Sequence, residues 1–175
     1  PERIPNFPLA GSVYYLRVRE VAIAGEPPTE NISDAYQISW DYAEVAPEDE
    51  AEVNDSLELA TRLAIGETRS GYVGWAGDLD NYCLSNNGTN LRATVSGVPG
   101  VDLVLRVVDR ENHQSRKIDH ADIGAGEESA LIETGSADST CFEVSVDLLS
   151  DGEEANALDA YEFQVVVAEP PPETP

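Results

Sequence analysis

The chain has no methionine, one lysine among its ten basic residues, two cysteines, two histidines and no apolar run near the roughly 20 residues that a membrane-spanning helix needs. Each scarcity excludes something. Against 34 acidic residues, the ten basic ones leave a formal net charge of −24. The basic footprint that phosphate binding demands is missing, so nucleic acid is not an expected partner. Anionic membrane surfaces are disfavoured for the same reason, and membrane insertion is not expected. Cys83 and Cys141 form no CxxC and no Cys/His cluster, which argues against a metal–thiolate site. No secretory leader is readable, but in a chain that opens inside a repeat this says nothing about export.

What is present is apolar enough to fold, with 41% hydrophobic and 7% aromatic residues in 175. The acidity suits a solvated extracellular or high-salt surface, or a divalent cation that gathers some of the carboxylates, and charge alone does not choose between them. The chain also repeats itself. Tyr14-Tyr15-Leu16-Arg17-Val18 followed by Asp34-Ala35-Tyr36-Gln37-Ile38-Ser39-Trp40 recurs as Thr140-Cys141-Phe142-Glu143-Val144 followed by Asp159-Ala160-Tyr161-Glu162-Phe163-Gln164-Val165. Leu16 maps to Phe142 (142 − 16 = 126) and Tyr36 to Tyr161 (161 − 36 = 125), so the copies differ by one residue in the intervening loop. Residues 1–46 therefore read as the tail of one module, 47–168 as a complete second module and 169–175 as a Pro/Glu-rich linker, the layout of a tandem array.

Alternating apolar positions predict strands over Tyr14 to Val21, Tyr36 to Trp40, Asp80 to Leu84, Leu91 to Val95, Val101 to Val108, Cys141 to Leu148 and Tyr161 to Val167. The fold class implied is all-β, an antiparallel β-sandwich. Asn86-Asn87-Gly88-Thr89 reads as a hairpin turn and Asp151-Gly152 as a weaker one. One short helix is expected over Ser56 to Leu63, because Asp55 as N-cap and Glu58 three residues on make a capping-box pattern. Glu44 to Glu52 and Ala168 to Pro175 read as semi-extended spacers. The last two strands of each copy are expected to form a closing hairpin. In the first copy its apolar faces (Tyr14, Leu16, Val18; Tyr36, Ile38, Trp40) must pack on sequence outside the chain, on the second copy, or on another chain as a donated hairpin.

The order Glu52-Val53-Asn54-Asp55-Ser56, Gly66 to Val73, Gly77-Asp78-Leu79-Asp80-Asn81-Tyr82, Gly100 to Leu105 and the closing strands resembles the bacterial pre-peptidase C-terminal domain. Its pattern runs E-P-N-D-S, G-x-x-x-G, G-D-x-D-x-Y, D-L-x-L and Y-Y-L-R-V. The match covers the second copy, and Tyr14 to Trp40 match the end of a first. The departures are Val53, Asn81 and the two cysteines. The resemblance implies a jelly-roll-like sandwich appended to secreted peptidases and surface proteins, non-catalytic, and in some relatives holding calcium where the linker meets the sandwich. The residues are consistent with such a site. Glu50, Glu52, Asn54 and Asp55 supply oxygens on an extended segment, and Asp78 with Asp80 present two carboxylates on one face of a strand start. In the competing reading Asn54 and Asp55 cap the helix while Glu50 and Glu52 are solvated charges. Given the resemblance, the pairing of Asp78 with Asp80 favours calcium (Ca2+); on the residues alone the competing reading is preferred.

Cys83 and Cys141 fall on two strands at positions facing the same outer side, which predicts a disulfide and an extracellular setting. Glu111 to His120, with His113, Asp119 and His120, reads as a solvated inter-strand loop rather than a catalytic site, since no nucleophile motif accompanies it. Tyr72 and Tyr82 are expected in the core, and Trp75, in the turn Gly74 to Gly77, is the candidate exposed binding aromatic. Three functions are then open: a non-catalytic accessory or binding module of a secreted or surface protein, with a protein or polysaccharide ligand; a structural repeat of an adhesin or filament, partnered by adjacent repeats or subunits; or an independent enzyme, for which no residue set is nominated.

Overall fold

In the computed structural model, residues 13–18, 24–25, 35–42, 44, 46–86, 88–109, 114–120, 123–124, 126–132, 139–147 and 152–168 are described. The chain divides into two units, Leu9–Glu44 and a larger one of Pro1–Pro8 with Val45–Pro175.

The larger unit is an all-β sandwich. Its strands are β1 (Thr61–Arg62), β2 (Thr68–Val73), β3 (Leu79–Ser85), β4 (Leu91–Val95), β5 (Leu103–Asp109), β6 (Gln114–Ile118), β7 (Glu128–Ile132), β8 (Ser139–Val146) and β9 (Asn156–Val167). They form a five-stranded sheet in the order β1-β3-β8-β5-β6 and a four-stranded sheet in the order β2-β9-β4-β7. Pairing is antiparallel except at β1, which lies parallel to β3. Period-two alternation explains the layers: Tyr82, Leu84, Phe142 and Val144 of one sheet face Ala93, Val95, Phe163 and Val165 of the other in a single buried cluster. Phe163 sits at its centre, its ring 4.7 Å from Tyr82 and 5.4 Å from Phe142. Truncating such a side chain costs about 3–5 kcal/mol.

Several expectations are corrected. No helix forms over Ser56 to Leu63. Residues 56–59 make a single turn closed by Leu59 N–H donating to the Ser56 carbonyl, after which Thr61 and Arg62 pair with Tyr82 and Cys83. Pairing with β3 outweighs a capping signal too short to nucleate a helix. The Asn86 to Thr89 turn exists, with Gly88 at φ 74° and its N–H donating to Asn86 Oδ1 at 3.0 Å, but it carries the chain from one sheet to the other. It is not a hairpin. Likewise β8 and β9 lie in opposite sheets and do not pair with each other. Alternation marks a half-buried strand but does not name its partner. The segment read as a loop at 111–120 contains β6, an edge strand on β5, while His113 and Asp151 lie outside the described residues.

The spacer read over Glu44 to Glu52 is partly tied down. Glu50 N–H donates to the Ser70 carbonyl and Ser70 N–H to the Glu48 carbonyl, so this stretch runs beside β2. The terminal spacer lies outside the described residues beyond Ala168. In the Leu9–Glu44 unit, residues 13–18 and 35–42 are not in strands. The strands expected there have no ladder among the described residues, and a strand without hydrogen-bonded neighbours is not a stable element in water.

Cys83 and Cys141 are register partners across β3 and β8, bonded as a disulfide with Cα atoms 4.2 Å apart. They point away from the core cluster, as expected, yet both are buried.

Candidate metal centre

β2 is an edge strand of one sheet, and β1 with β3 forms the edge of the other, so the sandwich has an open seam on this side. Into it runs the chain entering the larger unit, which places Glu50 beside β2 and Asn54 against β3. The Asn54 carbonyl accepts from Asn81 N–H at 3.2 Å and from Asn81 Nδ2 at 3.0 Å. On β3 the alternation that sends Tyr82 and Leu84 inward also sends Asp80 inward, where it is fully buried.

The carboxylates meet two tyrosines. Glu50 Oε2 accepts from Tyr82 Oη at 2.9 Å, Tyr161 Oη at 3.2 Å and Asn54 Nδ2 at 3.2 Å, while Glu50 Oε1 accepts from Tyr72 N–H at 2.8 Å. Tyr161 Oη also lies 2.6 Å from Asp80 Oδ2 and 2.7 Å from Tyr82 Oη. Asp78 Oδ2 accepts from Gly74 N–H at 2.5 Å, and Glu52 Oε2 accepts from Asn54 N–H at 3.3 Å. Gly71 makes the arrangement fit. It is the register partner of Tyr161, and a Cβ there would strike the Tyr161 ring and hydroxyl and stand 2.8 Å from Glu50 Oε2.

One oxygen from each of Glu50, Glu52 and Asp80 lies within 4.8 Å of the others. Around them Asn54 Oδ1, Asp78 Oδ1 and Asp80 Oδ1 are buried without a hydrogen-bond partner. Among the described ion pairs, none brings a basic residue to Glu50, Glu52, Asp78 or Asp80. The electrostatic result is strain. Burial, then repulsion from Glu50 and Asp78, pushes the Glu52 carboxyl up to about 7. Burial, with Glu50 and Asp55 adding repulsion, pushes Asp78 up to about 7. Burial raises Glu50, and burial with Glu50 and Asp78 raises Asp80 well above the carboxylate range. The Tyr82 and Tyr161 hydroxyls are held protonated by burial, Tyr82 also by Glu50 and Asp80 and Tyr161 by Tyr82 and Asp80.

Of the six residues read as ligands, Glu50, Glu52 and Asp80 converge, and Asn54 and Asp78 each leave a buried oxygen without a donor. Asp55 is half-buried and contributes repulsion rather than a described contact. Tyr82 was expected only as core, and Tyr161 and Gly71 were not singled out. The inward alternation shared by Asp80, Tyr82 and Tyr161 was the available signal for the two tyrosines. Tyr72 is half-buried and offers the cluster its backbone N–H, and Trp75 is half-buried rather than exposed.

Buried oxygens without donors, four carboxylates without a described cation and, among the described residues, an all-oxygen donor set match the chemistry of a hard divalent ion. These residues fit calcium.

No family model and no curated protein matches the chain. Among solved structures, the chain is similar to the pre-peptidase C-terminal domain of collagenase from Bacillus anthracis, at 16% identity and a TM-score of 0.46, over 61% of this chain and 93% of that one.

Proposed function

We propose that the chain is a non-catalytic accessory or binding module of a secreted or surface multidomain bacterial protein, stabilised by calcium at the seam of its sandwich. The observation that carries this reading is the set of orphaned buried oxygens, Asn54 Oδ1, Asp78 Oδ1 and Asp80 Oδ1, beside the converging Glu50, Glu52 and Asp80. Glu50, Glu52 and Asp80 would hold the ion, with Asp78 and Asn54 as further oxygen donors. When bound, the ion supplies positive charge where the protein has only negative.

The residues themselves do the rest. Tyr82 and Tyr161 donate to the carboxylates from the core side, and Asn81 clamps the Asn54 backbone. The Glu48 to Asn54 segment is thereby tied at both ends, to β2 and to β3. Binding there fixes the direction from which the preceding chain enters. Support for an extracellular setting comes from the Cys83–Cys141 disulfide, which persists in oxidising compartments. The ligand carried by such a module is a protein or a polysaccharide.

The internal repeat favours a second reading, a structural repeat of an adhesin or filament contacting adjacent repeats or subunits. In that reading segments 13–18 and 35–42 are donated between subunits; their counterparts in the second copy, β8 and β9, lie in opposite sheets, so the donated pair would enter two sheets.

The test is thermal melting in calcium and in chelator at constant ionic strength, for the wild type and for Asp78→Asn with Asp80→Asn. The wild type should melt higher in calcium, by the equivalent of about 2.7 kcal/mol at one hundred times Kd, and the variant should not respond. Equal wild-type melting temperatures in the two media would remove calcium from this reading.

A further inference from the structure

β8 lies between β3 and β5, and β9 between β2 and β4, so each is an interior strand of its sheet. Their inward residues Phe142, Val144, Tyr161, Phe163 and Val165 are each 0% exposed. The repeat puts Leu16, Val18, Tyr36, Ile38 and Trp40 at the corresponding positions. These five are 62%, 54%, 74%, 42% and 83% exposed, in stretches with no strand assignment. Large apolar side chains spaced for the interiors of two facing sheets mark an interaction surface rather than a finished one.

We propose that residues 13–18 and 35–42 form the docking surface for a second set of β1-to-β7 strands, supplied by another stretch of this same repeat. Residues 13–18 enter one sheet and residues 35–42 the other, each between two strands of the partner. Tyr36 then brings its hydroxyl to the carboxylates of that second sandwich, as Tyr161 reaches Asp80 and Glu50 in this one. A partner adding at one sheet edge would cover one segment and leave the other bare. Only a two-sheet partner of matching register covers both. The placement of the strands stands on the repeat and the sheet order; the part given to Tyr36 rests on the calcium reading above.

The partner can be provided in cis by placing a copy of residues 47–138, which carry β1 to β7, ahead of Val13 in the otherwise intact chain. With Trp75→Phe in both copies, Trp40 is the single indole. Relative to the chain beginning at Pro1 and carrying Trp75→Phe, Trp40 emission should move to shorter wavelength and chymotryptic cleavage after Tyr36 and Trp40 should slow by roughly tenfold or more. Leu16→Asp with Ile38→Asp should abolish both changes, and the extended chain should bind twice as much calcium. Unchanged emission and cleavage would overturn the proposal. Protection of Trp40 without calcium binding by either sandwich would keep the strand placement and overturn the calcium reading instead.

Discussion

Without calcium, the carboxylate cluster should make the protein less stable as the pH rises. Glu52 and Asp78 are pushed up to about 7 in the folded chain, from ordinary values of 4.5 and 3.8. The native state therefore binds protons that the unfolded chain has released, between about pH 4 and about pH 7. In that window stability falls as pH rises; it is fully present below the unfolded values and lost once pH passes the folded ones. For buried Asp78 the shift corresponds to about 4 kcal/mol, while half-exposed Glu52 contributes about 1–2 kcal/mol after solvent screening. The two are coupled, because protonating one relieves repulsion on the other. A joint effect of about 4 kcal/mol corresponds to roughly 10 °C in melting temperature for a chain of this size. On the proposed calcium reading the sign should reverse, because the ion would bind the deprotonated forms and its contribution would grow through the same window. Melting followed by circular dichroism from about pH 5 to about pH 8 should give a falling curve in chelator and a flat or rising one in calcium. Asp78→Asn in chelator should melt above the wild type at the upper end and show a shallower slope. A wild type whose melting temperature in chelator is flat or rises over this range would refute the reasoning.

Three further outcomes are expected. Gly71→Ala drives a methyl group into the Tyr161 ring and toward Glu50, so denaturant midpoints should show a loss of about 3 kcal/mol, accompanied by a loss of the calcium response. Tyr161→Phe removes the hydroxyl that reaches Asp80 and Glu50 and should cost about 1–3 kcal/mol in chelator, because buried acceptors lose their donor. The Cys83–Cys141 bond closes a loop of 58 residues, and replacing both cysteines by serine should cost about 4 kcal/mol on the chain-entropy model; thiol titration of the unreduced, unfolded wild type should find no free thiol.

Much of this was legible in the residues, and the shortfalls share a cause. The strands over Asp80 to Leu84, Leu91 to Val95, Val101 to Val108 and Tyr161 to Val167 are read correctly to within a few residues, because one face of each is buried and alternation reports burial directly. Pairing is not written in alternation. Hence β8 and β9 were expected as a hairpin although each joins a different sheet, and Asn86 to Thr89 turned out to link sheets. β7 and β6 were missed: Glu128 opens the first, and Gln114-Ser115-Arg116-Lys117 gives the second a polar edge pattern. At the candidate site the acidic residues were visible as composition, with Asp78 and Asp80 as the strongest hint. Their two tyrosine donors come from strands 79 residues apart, a proximity that only the closed sandwich creates. Gly71 stood in the Gly66 to Val73 stretch that carries part of the resemblance, but its reason, the ring of Tyr161 lying across it, belongs to sheet register.

The most direct measurement is a calorimetric titration of the calcium-stripped chain near pH 7, repeated in buffers of different ionisation enthalpy. The account predicts saturable calcium binding with protons released from the raised Glu50, Glu52, Asp78 and Asp80 carboxyls, abolished in Asp80→Asn. The absence of any binding heat at millimolar calcium in every buffer, or binding that survives Asp80→Asn unchanged, would contradict it.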